Sequence, residues 1–249
     1  MRFFITLSFN GSRYHGWQVQ PNGGSVQETL SNALSTLLRE HVMPVGAGRT
    51  DAGVHARMMV AHFDTEQAID VNQLKYKLNR LLPHDIAVHN AYSVADDMHA
   101  RFSATARTYH YYITTHKDAF LEGRAWYVTY PLDFALMNEA AAVLSEYEDF
   151  TSFSKVDTDT KTNICHITEA RWERQEPSLF THSDTWCFTI TANRFLRNMV
   201  RAIVGTLVEV GRGRMTTEEF RHVIEQRNRC RAGESVPAHG LYLWNIRYD

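Results

Sequence analysis

Phe3, Ile5, Leu7 and Phe9 occupy every second position of the opening MRFFITLSF, the period of a β-strand. Comparable runs at 58–63, 86–94, 109–115, 125–130, 186–192 and 241–248 predict further strands. In one of these, Trp186, Phe188, Ile190 and Ala192 alternate with polar neighbours, as expected of an antiparallel strand with one covered face. Helical signals lie between the strands. Ser25 and Glu28 form a capping-box pattern after Gly23-Gly24, and Val26, Leu30, Ala33, Leu34, Leu37 and Leu38 then keep one face. Asp70 caps a second helix that stops before Pro83, Asp133 caps a third through Leu144, and Thr216 with Glu219 caps a last one. A strongly apolar helix is predicted over 195–210. The order of elements implies an α+β fold with a crossover near 95–108 and two halves of similar content, 1–102 and 103–249. Polar loops at 116–123 and 154–163 are long enough for a functional use.

Composition adds little until charge is located. The chain has 249 residues, enough to bury a large core, and a net charge of -2, which by itself does not announce a polyanionic partner. Its cations, however, are 21 Arg and 5 Lys, a bias toward the planar fork that suits phosphate. From Arg194 to Arg231 there are nine Arg, no Lys and four acids, a local +5 that a polyanion could sense whatever the total. The three cysteines are far apart and form no C-x-x-C, which points to a reducing compartment and away from a structural zinc. With neither a cleavable signal pattern nor a membrane-length apolar run, a cytoplasmic protein is expected.

The densest chemical segment is VGAGRTDAGVHA, 45–56. Its glycines and alanines permit close backbone approach around Arg49, Thr50, Asp51 and His55. Asp51 reads as a turn residue, a helix cap or an exposed catalytic carboxylate; a phosphate cradle fits less well, because neither the dinucleotide nor the P-loop spacing is present. His55 and His62 lack the spacing of metal ligands, so ordinary hydrogen-bonded histidines are expected there. Within the predicted 195–210 helix, Arg194, Arg197 and Arg201 would share a flank without acidic partners at three or four residues. Aromatics interleave with charge in Arg13-Tyr14-His15-Gly16-Trp17-Gln18 and in Arg107-Thr108-Tyr109-His110-Tyr111-Tyr112. Period two sets Arg107, Tyr109 and Tyr111 on one strand face, either as core or as a stacking platform.

GAGRTDAGVHA at 46–56, Tyr14-x-Gly16-Trp17-Gln18, HARFSA at 99–104, Arg107-x-Tyr109, FLxxMVRxxVG at 195–205 and PAxGLYL at 237–243 together resemble the tRNA pseudouridine synthase A family. The resemblance implies a pseudouridine synthase fold with a central RNA-binding cleft. It implies isomerisation of uridine at positions 38, 39 and 40 of the tRNA anticodon stem-loop, by a homodimer that uses no cofactor and no metal. It further implies that Asp51 is the essential carboxylate and that Arg201 pairs with it. Tyr109 would stack on the target uracil, Arg49 would help open the base site, Leu241 would line the base pocket, and Arg101 and Arg107 would contact the RNA. Asn10 and Asn163 depart from the family pattern. Two other classes share parts of these features: an RNA chaperone, which would leave Asp51 without a task, and a metal-dependent nuclease or deaminase, which would need a ligand cluster the sequence lacks.

Overall fold

The computed structural model describes residues 1–21, 23–155, 162–177 and 184–248. Strands are β1 (Arg2–Phe9), β2 (Val45–Gly46), β3 (His55–Asp64), β4 (Ile86–Val94), β5 (Ala104–Thr114), β6 (Trp126–Tyr127), β7 (Ile167–Gln175), β8 (Thr185–Ala192) and β9 (Leu241–Tyr248). Helices are α1 (Val26–Leu38), α2 (Val71–Leu81), α3 (Phe134–Ala142), α4 (Met199–Gly211) and α5 (Thr217–Glu225). This is an α+β fold. The chain forms two compact units, Met1–Thr105 with Tyr242–Asp249, and Ala106–Leu241.

In the first unit β1 pairs antiparallel with β3 on one side and β4 on the other, β2 adds to β3, and β9 runs parallel to β3 at His55–Tyr242 and Ala56–Leu243. Phe3, Ile5, Leu7 and Phe9 are buried on one face of β1, and on the other Phe4 is buried while Thr6 and Ser8 are half-buried. Phe4 packs against Tyr92, His62 and Tyr248, and Phe3 stacks on Phe63. Ser25 caps α1 through the Glu28 amide, and Asp70 caps α2 through the amides of Asn72 and Gln73. β3 begins at His55, three residues earlier than the apolar pattern suggests, so the 45–56 segment feeds straight into a central strand.

In the second unit β8 lies between β5 and β7, antiparallel to both, and β6 is parallel to β5. The single covered face expected of β8 is not what forms. Cys187, Thr189 and Thr191 are buried along with Phe188, Ile190 and Ala192, and the Thr191 hydroxyl meets Thr108 at 2.9 Å and Glu169 at 3.0 Å. β7 was invisible to apolar patterning, since only Ile167 and Trp172 along it are buried and its charges pair with each other, as Arg171 does with Glu169. β6 keeps two residues of the six expected at 125–130, and α3 ends at Ala142 before a 3₁₀ turn at Val143–Glu146.

The largest correction concerns 195–210. Asn198 takes a left-handed conformation, φ 65°, so α4 starts at Met199 and the residues from Arg194 to Asn198 are irregular. Arg194 and Arg197 therefore precede the helix, and no three-arginine stripe exists. α4 is buried nearly all round. At Gly205 its backbone is so close to the 233–236 segment that a Cβ would overlap the Glu234 carbonyl oxygen.

Candidate active site

The first unit holds Asp51, Arg49 and Arg101. Asp51 stands at the start of a tight turn: its carbonyl accepts the Val54 amide at 3.2 Å, and Gly53 at the third position has φ 79°, a conformation that favours glycine. The turn reading of Asp51 thus holds for its backbone. The side chain is half-buried and Arg49 is exposed. What fixes this loop is a second segment. Trp17 donates its amide to the Thr50 carbonyl, 3.4 Å, and Gly53 donates to the Tyr14 carbonyl, 3.3 Å. Gly16, at φ 89°, lies so close that a Cβ would overlap the Thr50 carbonyl oxygen. A Cβ at Gly46 would sit 2.5 Å from the Trp17 ring, which is 2% exposed. The 13–18 segment, where aromatics interleave with charge, is to a large extent the brace behind the Asp51 loop. Its tyrosine hydroxyl is engaged with Asp85 at 2.7 Å. The signal for the brace was Gly16 between two aromatics, opposite a second glycine-rich string.

Both histidines weighed as ligands are buried acceptors. His55 Nδ1 takes the Gly11 amide at 3.0 Å, and His62 Nδ1 takes the Ala100 amide at 3.2 Å. Burial, followed by the neighbouring Arg2 and His99, pushes His62 down to about 4, which keeps the ring neutral and able to accept. Among the described residues no group of three or more His, Cys, Asp or Glu is placed to hold a metal ion. Arg101 lies at a turn that His99 organises, with its guanidinium 5.5 Å from the Phe102 ring.

The second unit holds Tyr109, Arg107, Arg201 and Leu241. Along β5 the shared face divides: Tyr111 is fully buried, with its hydroxyl donated to the Pro237 carbonyl at 2.9 Å, whereas Tyr109 is half-buried with its ring edge-on to Phe195 at 5.1 Å. Arg107 donates to the Asn193 carbonyl at 2.8 Å. Arg201, on the first turn of α4, is half-buried and donates Nε to the Val236 carbonyl at 2.7 Å, and the Val236 amide returns to the Arg201 carbonyl at 3.3 Å. Segment 236–241 therefore joins Arg201, Tyr111 and the buried Leu241, and Gly240 touches the Tyr111 ring.

That segment is itself held by residues sequence reasoning passed over. Arg229 donates to the carbonyls of Ala232 and Gly233 and to the Ser235 hydroxyl, and Asn198 donates to the same hydroxyl. The Arg229 contacts stay within its own loop, whereas the Asn198 contact spans 37 residues and no local pattern marks it. They also alter the account of the basic 194–231 segment. At least six of its nine arginines are tied internally: Arg201 to the Val236 carbonyl, Arg212 and Arg214 to Glu209, Arg221 to Glu146, Arg227 to Asp149, and Arg229 to the loop.

A family model described as tRNA pseudouridine synthase matches residues 5–103 and 141–249. The chain belongs to that family. Among its relatives are proteins named tRNA pseudouridine synthase A from Bacteroides thetaiotaomicron, 59% identical over 99% of this chain and 90% of that protein, and from Bacillus subtilis, 40% identical over the whole of both. A third, from Porphyromonas gingivalis, is 55% identical over 99% of this chain and 97% of that protein. The matched regions include the Asp51 loop with its 14–17 brace, HARFS at 99–103, and the whole of α4 and β9. They leave out 104–140, so Arg107 and Tyr109 of β5 lie outside the match to the family model. No helix among the described residues is long and apolar enough to cross a membrane.

Proposed function

We propose that this chain isomerises uridine to pseudouridine in tRNA, at positions 38, 39 and 40 of the anticodon stem-loop, with Asp51 as the catalytic carboxylate. The observation that carries the reading is the coincidence of a near full-length family match with a rigid, glycine-braced turn that holds an aspartate half-buried at its start.

The reaction breaks the N1–C1′ bond, rotates the uracil and forms C5–C1′, and the proton lost from C5 ends on N1. No oxidant or reductant enters, so positioned side chains suffice and the protein uses no cofactor. A carboxylate can bond covalently to the nucleotide or take a proton from it, and either divides one high barrier into two lower ones. Arg201 is the cationic partner that the family resemblance assigns to the Asp51 carboxylate. Tyr109 holds the detached base by stacking, and its hydroxyl is suited to moving the C5 proton. Leu241 lines the base pocket. Arg49, Arg101 and Arg107 contact the RNA, and extruding the target base costs a few kcal/mol that these contacts offset. The enzyme works as a homodimer in the cytoplasm, with the aspartate loop supplied by the 1–102 half and the tyrosine strand and arginine helix by the 103–249 half.

Asp51→Asn tests this. It preserves the shape of the turn, so melting temperature and tRNA affinity should stay at wild-type values while pseudouridine formation on an unmodified transcript falls by at least about 10³-fold. Near-normal turnover would refute the assignment.

A further inference from the structure

Phe102 is 75% exposed, the most exposed large apolar side chain of the described residues. One exposed apolar residue is ordinary. This one differs in how firmly its backbone is held. His99 Nδ1 accepts the amides of both Arg101 and Phe102, at 3.0 and 3.3 Å, and the Ser103 amide donates to the His99 carbonyl while the Ser103 hydroxyl accepts the His99 amide, each at 2.9 Å. Behind the turn, the Ala100 amide donates to His62 and its carbonyl accepts the Tyr248 hydroxyl at 2.6 Å, and Arg2 donates to the Met98 carbonyl at 3.0 Å. The imidazole of His99 stands edge-on to His62, 4.5 Å between centroids, and 4.4 Å from the Phe102 ring.

The tip of a tight, fully bonded turn thus presents an aromatic face to water with an arginine beside it, and little conformational freedom is left to lose when something binds. A flat π-face next to a guanidinium matches an unpaired nucleobase and its phosphate: the base stacks and the arginine pairs with the anion. The geometry points to Phe102, with Arg101, as a stacking contact for an unpaired base of the tRNA, a binding contact separate from the chemistry at Asp51. This rests on the tRNA reading above, because paired stems hide their base faces and only loops and ends expose them.

The test uses the full chain and an unmodified tRNA transcript, with affinity measured by filter binding, and pseudouridine formation and oligomeric state followed in parallel. Stacking is worth roughly 1–3 kcal/mol, so Phe102→Ala should weaken binding about 5- to 150-fold. Phe102→Leu should weaken it comparably, because leucine keeps the apolar surface but has no π-face, and Phe102→Trp should restore it. Turnover at saturating tRNA and the melting temperature should not change. Wild-type affinity in Phe102→Leu, or an altered oligomeric state with unaltered tRNA affinity, would overturn the inference in favour of an apolar contact between copies. Wild-type protein that binds tRNA through Phe102 but makes no pseudouridine would instead overturn the functional reading and leave the stacking contact standing.

Discussion

The Asp51 loop and the Arg201 assembly are held by opposite means. In the first unit the loop is fixed by backbone: Trp17 and Gly53 amides bond across two glycine-rich strings, and a Cβ would overlap the Thr50 carbonyl oxygen at Gly16 and the Trp17 ring at Gly46. In the second unit Arg201 is fixed through the 232–237 segment, which side chains hold: Arg229 from within the same loop, and Asn198 and Tyr111 from distant stretches, bonding the Ser235 hydroxyl and the Pro237 carbonyl. Steric fixation tolerates almost no substitution and leaves a local mark. Side-chain tethers yield by degrees and leave none.

The sharpest way to break that contrast is Gly16→Ala. The alanine must adopt φ near 89° and overlap the Thr50 carbonyl, so strain and overpacking together should cost about 3–5 kcal/mol. Urea unfolding should show the loss, and residual folded protein should have little activity. A variant with wild-type stability would mean that the brace is loose and that Asp51 is positioned by something else.

The same contrast explains what was legible in the sequence. Capping residues Ser25, Asp70, Asp133 and Thr216 act within three residues of themselves, and all four cap the helices expected of them. The Asp51 string could be singled out because Gly46, Gly48 and Gly53 fall within one short stretch. By contrast, the start of α4 depends on a left-handed Asn198 anchored to Ser235, a contact over 37 residues that no periodicity reveals. β7 escaped because its apolar residues are few and its charges neutralise one another in place. Counting arginines had the same blind spot. Net charge along a segment cannot tell a cation that faces solvent from one, such as Arg229, whose guanidinium is taken up by carbonyls of its own loop.

Arg229→Met probes the side-chain arm of the comparison. If Arg229 acts through the loop on Arg201, its loss should lower stability by about 1.5–3 kcal/mol and kcat several-fold, with KM for tRNA within twofold. Arg229→Lys keeps the charge but not the fork, and should recover only part of kcat. Were Arg229 an RNA contact, affinity would fall instead, the slope of log affinity against log salt would flatten by about 1, and lysine would restore most of both.

The smallest expected effect compares one histidine from each unit, His62 buried and His110 half-buried. His62 in the first and His110 in the second are both pushed down to about 4, chiefly by burial, while each titrates near 6.5 in the unfolded chain. Between those values the unfolded state binds protons that the folded state refuses, so stability is fully present above pH 6.5 and declines as pH falls toward 4. Complete refusal would give about 1.4 kcal/mol per pH unit for each ring, and solvent near the rings should reduce that. Denaturant midpoints measured from pH 7 to 4.5 should therefore fall, and His62→Asn, whose side-chain oxygen can still accept the Ala100 amide, should flatten the fall by removing the first unit's share. The loss should be local before it is global. Protonated His62 can no longer accept that amide, so the protection of Ala100, Arg101 and Phe102 against hydrogen exchange, taken relative to the intrinsic rate at each pH, should fall with acid in the wild type and not in His62→Asn. Unchanged protection across that range would show that the turn is held by Tyr248 and Ser103 without help from the imidazole.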